Sequence, residues 1–100
     1  VRDDVEALDR IAASAYERIG GPEGVDREEL EELPRAVATR VLRLAALAAG
    51  ARDAELFHVH VTALHRLALG AIGGEVQLPG HVTAYGDRSH LRFRPTAVAG

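Results

Sequence analysis

The chain has 100 residues, 47% of them hydrophobic and 27% charged, and it contains neither cysteine nor methionine. This length and composition predict one globular domain over residues 1–100, and they exclude a disordered chain, a disulfide-stabilised protein and a thiolate metal site. The net charge of −3 conceals an asymmetry, because residues 1–33 carry −7 and residues 34–100 carry +4. No run approaches the ~20 apolar residues of a membrane-spanning helix, and the absence of cysteine fits a cytoplasmic protein.

Two helices are predicted in the acidic first third of the chain. Residues 3–19 carry apolar side chains every three or four positions and begin with acids, which the helix dipole favours at this end. The apolar stripe consists of Val5, Leu8, Ala12, Ala15 and Ile19, widened by Ile11 and Tyr16. The Gly-Gly-Pro run at residues 20–22 ends this helix. Asp26, with Glu29 three residues later, resembles a capping box and predicts a second, very short helix.

The longest helical pattern runs over residues 33–50, from a proline that suits a first turn to a glycine that suits a helix end. Its predicted apolar face consists of Val37, Val41, Leu44 and Ala48. The segment carries three arginines and no acid, so it is a candidate surface for a polyanion or for the acidic first third of the same chain. Arg40 lies roughly 60° from the apolar face, by the 100° helical step, so we expect a buried stem with its head on an acid. Arg35 and Arg43 are the better candidates for solvent or a ligand.

Residues 56–70 fit two secondary structures. The first six alternate as in a strand, whereas the whole segment has a helical period, and the longer pattern favours a helix that begins near Asp53. On a strand, His58 and His60 would share a face and bind a metal together with His65 or an acid. On a helix, His58 and His65 are two turns apart, about 10 Å, and His60 points to the other flank, so they cannot chelate one ion and we predict no metal site.

Residues 75–94 change to the alternation of β-strands. Three alternating runs, separated by Pro-Gly and Gly-Asp turns, predict a three-stranded antiparallel meander, with a frayed tail over residues 95–100. The polar face of the meander carries His81, Thr83, Tyr85, His90, Arg92 and Arg94. Arginines beside an aromatic ring suit RNA, through phosphate pairing and base stacking, and an ordinary solvated face is the alternative. The predicted fold class is α+β and mainly helical, with about four helices, one of them very short.

The sequence contains no recognisable catalytic constellation. Neither glycine pair, at residues 20–21 or 73–74, fits a nucleotide-binding fingerprint, and the two serines lie outside nucleophile motifs. We therefore assign no catalytic, cofactor-binding or metal-ligating residue. The candidates for RNA binding are Arg35, Arg40, Arg43, Tyr85, Arg92 and Arg94.

The order of the motifs resembles one known family. A Leu-Pro-x-Ala-Val-x-x-Arg-x-Leu-Arg helix occupies residues 33–43, a His-Val pair follows at residues 60–61, and a strand ends in Leu-Pro-Gly at residues 78–80. This order covers nearly the whole chain and is similar to the region after the catalytic domain of tRNA(Ile)-lysidine synthases, particularly short actinobacterial forms. The resemblance implies a substrate-recognition domain. Because the chain begins at Val1, we expect it to be a fragment of a longer enzyme.

The resemblance also implies what the parent enzyme does. The family ligates lysine to the wobble cytidine of an isoleucine tRNA with a CAU anticodon, using ATP and Mg. Its Ser-Gly-Gly-x-Asp-Ser phosphate loop belongs to an N-terminal catalytic domain and is absent here. We therefore expect this chain to hold tRNA for that domain and to be inactive alone.

Two alternatives stay open at this point. One is a helical interaction or dimerisation module without RNA, which would include a homodimer, and the other is a histidine–metal enzyme. The positions of the arginines distinguish the first from an RNA-binding domain. A continuous patch from Arg35 and Arg43 to Arg92 and Arg94 favours RNA, whereas arginines paired with acids of residues 1–33 favour the interaction module.

Overall fold

A computed structural model gives the fold of residues 2–97. The α-helices in this range are α1 (Arg2–Ile19), α2 (Arg27–Glu31), α3 (Arg35–Ala48) and α4 (His58–Ala68), with a 3-10 turn over Asp53–Glu55. The strands are β1 (Gly20–Gly21), β2 (Gly24–Asp26), β3 (Glu75–Leu78), β4 (Val82–Gly86) and β5 (His90–Pro95). The predicted α+β class, with one very short helix, is confirmed. Within the described range, none of these helices is long and apolar enough to cross a membrane.

The strands form one antiparallel sheet in the order β1-β2-β5-β4-β3. The predicted meander is confirmed as β3, β4 and β5, and β5 pairs on its other side with β2. Val25 lies opposite Leu91 in this added pairing, and both side chains are fully buried. The short strands β1 and β2 were not predicted, because two or three residues are too few to show alternation. They place the acidic first third of the chain against the last strand.

The helices bury most of the predicted apolar faces, including Ala12, Ala15 and Ile19 of α1 and Val37 and Val41 of α3, but not all of their residues. Helix α1 packs on α3, while α4 lies against β3 and β4. Val5 and Ile11 of the predicted α1 stripe are 48% and 53% exposed, and Ala48 of the predicted α3 stripe is exposed. The buried residues of α3 are Val37, Ala38, Val41, Leu42, Ala45 and Ala46. Both helices carry apolar residues on more than one side, so the neighbouring elements decide which side is buried.

The predicted signals at the helix ends are largely confirmed. The Asp26 carboxylate accepts a hydrogen bond from the Glu29 N–H at 3.0 Å and caps α2. The return half of a capping box is not formed, because the Glu29 carboxylate instead binds Arg18 at 3.1 Å. Pro34 is the capping residue before α3, and Gly50 follows the helix with a φ of +108°, the left-handed conformation that glycine tolerates.

Residues 58–68 form helix α4, so the strand interpretation is wrong, and the histidine–metal enzyme loses its structural basis. The 3-10 turn, rather than α4, occupies the predicted start near Asp53. Phe57, the residue before α4, has no side-chain acceptor, and His60 supplies the cap because its Nδ1 accepts the Phe57 N–H at 2.9 Å. Among the described residues, no three His, Cys, Asp or Glu side chains are grouped so that they could hold a metal ion.

The Leu-Pro-Gly turn at residues 78–80 is docked against the end of α3. The Pro79 carbonyl accepts a hydrogen bond from the Arg52 N–H at 3.1 Å. Gly80 has a φ of +98°, and a Cβ atom at this position would lie 2.7 Å from the Gly50 carbonyl oxygen. Both the conformation and the close approach require glycine here.

Residues 95 and 96 of the predicted tail are held by the sheet, in contrast to the predicted fraying. Strand β5 extends to Pro95, and the Thr96 N–H donates to the His81 carbonyl at 2.8 Å. Residues 98–100 of the predicted tail lie outside the described residues. Thr83, predicted to lie on an exposed polar face, is only 2% exposed, because its hydroxyl binds the side chains of Gln77 at 3.0 Å and Thr96 at 2.7 Å.

Candidate nucleic-acid interface

Arg40 is held between α1 and α3. Its Nε donates to the Asp9 carboxylate at 3.0 Å, and its Nη1 donates to the Ala36 carbonyl at 2.9 Å. The side chain is 30% exposed. The prediction of a partly buried arginine with its head on an acid is therefore confirmed, and this acid belongs to the first third of the chain.

Arg43 is less available than the sequence predicted. Its guanidinium binds the Asp53 carboxylate, and its Nη1 donates to the Leu56 carbonyl at 2.7 Å. These bonds attach the 3-10 turn and the start of α4 to the middle of α3. Arg43 therefore already has acceptors within the chain, and its predicted role in RNA binding stays a prediction.

Arg35 is exposed at the first position of α3 and has no acidic partner among the described residues. Its positive charge acts on His65, in the last turn of α4. Partial burial lowers the pKa of His65, and the positive charge of Arg35 lowers it further. Both effects favour the neutral form of the His65 ring.

Three of the candidates lie on the sheet. The Arg94 guanidinium carbon lies 4.7 Å from the centre of the Tyr85 ring, in cation–π contact, and Arg94 also pairs with Glu75. Arg92 pairs with Asp87 and donates to the Glu23 carbonyl at 3.0 Å. The structure thus brings Tyr85 and Arg94 together, as a flat ring with a cation stacked on it.

The turn between β4 and β5 is organised by one carboxylate. The Asp87 side chain binds the Arg92 guanidinium and accepts the N–H groups of His90 at 2.7 Å and Ser89 at 2.9 Å. These bonds, with the Arg92 contact the strongest, hold the pKa of Asp87 well below its usual range. Asp87 therefore stays ionised throughout the physiological range and keeps Arg92 in place.

The arginines match neither pattern that was predicted to distinguish the two functions. Arg40 alone of the candidates pairs with an acid of residues 1–33, while Arg43, Arg92 and Arg94 pair with acids nearer to them in the chain. Nothing in the described residues links the α3 arginines to the sheet arginines through a shared partner. Arginines outside the predicted set therefore also bear on where RNA could bind.

Sequence reasoning missed three further arginines. Arg27 is half-buried, and its guanidinium donates to the carbonyls of Ala68, at 2.9 Å, and Asp87, joining α2, α4 and the β4–β5 turn. Arg66 and Arg88 are exposed and have no acidic partner in the part of the chain that the structure describes. Arg66 was detectable, because residues 56–74 contain no acid. Arg88 directly follows Asp87, so the two opposite charges cancel in the sequence and Arg88 does not stand out as basic.

The comparisons with known proteins identify the family. Residues 26–94 match the TilS substrate binding domain. The chain belongs to this family. All six candidate residues lie inside the matched region, and the whole of α1 precedes it.

Two full-length relatives carry the same region. The chain is similar to the tRNA(Ile)-lysidine synthase of Thermobifida fusca (strain YX), with 46% identity over 82 residues, covering 80% of this chain and 25% of the relative. It is similar to the tRNA(Ile)-lysidine synthase of Streptomyces coelicolor, with 42% identity over 95 residues, covering 93% and 27%. The chain thus spans about a quarter of the length of these relatives. No solved structure matches it significantly.

The family assignment confirms the resemblance on which the sequence interpretation depended. The interaction-module alternative gains no support from these matches. As a TilS substrate binding domain, the chain is expected to carry its ligand-binding groups on its surface, and its arginines are the main candidates for these groups.

Proposed function

We propose that this domain binds tRNA as the substrate-recognition part of a tRNA(Ile)-lysidine synthase. The observation that carries the proposal is the family match over residues 26–94, which contain nine of the chain's twelve arginines. The relatives are named for a tRNA substrate, and arginine is the side chain best suited to phosphate.

The proposal extends to the parent enzyme. Its catalytic domain would lie in the remaining three quarters of the protein, bind ATP and Mg, and ligate lysine to the wobble cytidine of the isoleucine tRNA with a CAU anticodon. This domain would orient that tRNA and carry out no chemistry itself. Sedimentation of the chain would decide between a monomer and the homodimer that the sequence left open.

Tyr85 and Arg94 support a contact with an unpaired base. A cation held on one side of an aromatic ring keeps the ring in place, and successive bases of single-stranded RNA stack on such rings. Arg40, Arg43 and Arg92 are each ion-paired within the chain, so a phosphate at these positions would have to displace a carboxylate.

The test measures binding of the chain to an isoleucine tRNA with a CAU anticodon and to a methionine elongator tRNA, at two salt concentrations. We expect binding that weakens steeply with salt, since phosphate contacts release counterions. Tyr85→Ala should weaken binding by about 1–3 kcal/mol if one base stacks on the ring. Tyr16→Phe, on α1, is the matched aromatic control and should leave affinity unchanged. Absence of salt-sensitive binding to either tRNA would contradict the proposal.

A further inference from the structure

Residues 34–100 contain more arginines than their acids can neutralise. They hold eight arginines and four acids, and every one of the four acids is ion-paired. The paired arginines are Arg43, Arg52, Arg92 and Arg94, and Arg40 pairs with Asp9. The surplus positive charge therefore resides on Arg35, Arg66 and Arg88, which are exposed and have no acidic partner among the described residues.

Contacts within the fold link these three arginines although they are far apart in the chain, since α3, which begins at Arg35, packs on α4, which carries Arg66. Arg35 begins α3 and acts electrostatically on His65, the residue immediately before Arg66 on α4. Two residues further along, the Ala68 carbonyl accepts a hydrogen bond from Arg27 at 2.9 Å. The same guanidinium binds the Asp87 carbonyl, which immediately precedes Arg88.

Arg27 thus places the β4–β5 turn against the end of α4. Its side chain also lies close to the glycines on both sides of this junction, since a Cβ atom on Gly70 or Gly86 would lie 3.5 Å or 3.4 Å from its terminal nitrogens. A Cβ atom at either glycine would be in ordinary contact with the Arg27 guanidinium, which therefore lies between the two segments. Arg66 and Arg88 therefore lie on two adjacent segments that the hydrogen bonds of Arg27 hold together.

We propose that Arg35, Arg66 and Arg88 form a phosphate-binding edge that contacts the RNA backbone. This inference rests on the proposed function and assigns it residues other than those predicted from the sequence. An arginine without a carboxylate presents its full charge and its five donors to a phosphate, whereas Arg43 must first release Asp53.

The surroundings of the edge define how RNA approaches it. Exposed acids precede Arg35 in the chain and repel phosphate on that side, namely Glu28 and Glu31 of α2 and Glu32 directly after it. The backbone of the RNA would therefore run over α4 and the β4–β5 turn and leave α2 uncovered. Contacts of this kind position the tRNA and carry little sequence information.

The test compares two double variants that each remove two positive charges. Arg66→Gln with Arg88→Gln removes unpaired cations, and Arg18→Gln with Arg52→Gln removes exposed cations that are paired with acids. For the first pair we expect about tenfold or greater loss of tRNA affinity and a salt dependence that is lower by about 1.8, since each phosphate contact contributes about 0.9 to the slope. For the control pair we expect an unchanged salt dependence of tRNA binding. The two double variants should have equal melting temperatures.

A second measurement reports on Arg35 directly. Binding of a phosphate at Arg35 cancels the charge that helps to lower the pKa of His65, so the NMR titration of the His65 ring should shift to higher pH when tRNA is added. Arg35→Gln should raise this pKa in the free chain and abolish the further shift. The other histidines serve as internal controls.

The possible outcomes separate this inference from the proposed function. If the unaltered chain binds no tRNA, both fail. If it binds tRNA and the two double variants behave alike, only the phosphate-binding edge is overturned. Polyglutamate, measured in parallel, stands for an acidic protein partner. If the Arg66 and Arg88 variant loses binding to tRNA and to polyglutamate equally, the edge recognises acidic protein, and its assignment as an RNA contact is overturned.

Discussion

At the scale of single residues, the partners of each arginine decide what it can do. Arg40 and Arg43 lie three residues apart on the same helix, and the sequence ranked Arg43 as the more available of the two. In the structure Arg43 binds a carboxylate and a backbone carbonyl, so its removal affects folding as well as any ligand. A buried or half-buried carbonyl that loses its donor is costly.

We therefore predict that Arg43→Gln lowers the free energy of unfolding by about 1–2 kcal/mol, since a hydrogen bond from a charged donor has this magnitude. Arg52→Gln is the control, because Arg52 is 61% exposed and pairs only within its own turn, with Glu55. It should change stability by at most about 0.5 kcal/mol. Urea denaturation of both variants measures the difference. Equal stabilities would show that the Leu56 carbonyl is satisfied without Arg43.

At the scale of elements, the contact between the Leu-Pro-Gly turn and the end of α3 aligns the helical layer with the sheet. Gly80 approaches the Gly50 carbonyl, and the backbone of residue 52 donates to the Pro79 carbonyl. This contact joins two motifs that are conspicuous in the sequence and 28 or more residues apart. Its geometry requires a glycine in the turn.

Three glycine-to-alanine variants separate the reasons for that requirement. Gly73→Ala has open space and ordinary backbone angles, so it should be neutral or stabilise the chain by up to about 1 kcal/mol through the unfolded state. Gly74→Ala has open space but a φ of +79°, and should cost about 1 kcal/mol. Gly80→Ala has both a φ of +98° and the contact at 2.7 Å, and should cost clearly more. Thermal melts rank the stabilities of the three variants. Equal losses of stability in Gly74→Ala and Gly80→Ala would show that the turn moves away from the Gly50 carbonyl at no further cost in free energy.

At the scale of the whole molecule, strands from the first and the last third of the chain share one sheet. Strand β2 pairs with β5, so residues from the acidic first third complete the C-terminal meander. The radius of gyration, 13.0 Å, agrees with the ~13 Å of a single domain of 100 residues. Only one ion pair among the described residues, Asp9–Arg40, joins the acidic third to the basic remainder. Apolar packing and strand pairing, rather than attraction between opposite charges, therefore unite the halves.

This arrangement predicts a single cooperative unfolding transition. In a Tyr16→Phe background Tyr85 is the remaining tyrosine, so its fluorescence reports on the sheet while circular dichroism at 222 nm reports on the helices. Val25→Ala removes a fully buried side chain at the β2–β5 pairing and should cost about 2 kcal/mol. The melting temperature should fall by about 8–16 °C in both signals together. A sheet signal that moves alone would mean two independent units.

The sequence by itself determined the elements whose signals are local. Helices α1 and α3, the meander, the Asp26 cap and the glycine end of α3 depend on residues a few positions apart, and periodicity and turn chemistry express such relations directly. Arg40 was also placed correctly, because its angle from the apolar face follows from the helical step. The family resemblance came from the order of these local motifs.

Only the tertiary structure decided the relations between distant residues. Strands β1 and β2 exist because β5 pairs with them, and Thr83 is buried because Gln77 and Thr96 cover it. The separation of paired from unpaired arginines has the same origin, since Arg40 finds its acid 31 residues away and Arg27 bridges carbonyls 41 and 60 residues away. The physical reason is that charge and hydrogen bonding act over a few ångströms in space, and a linear sequence does not record which distant groups come within that range.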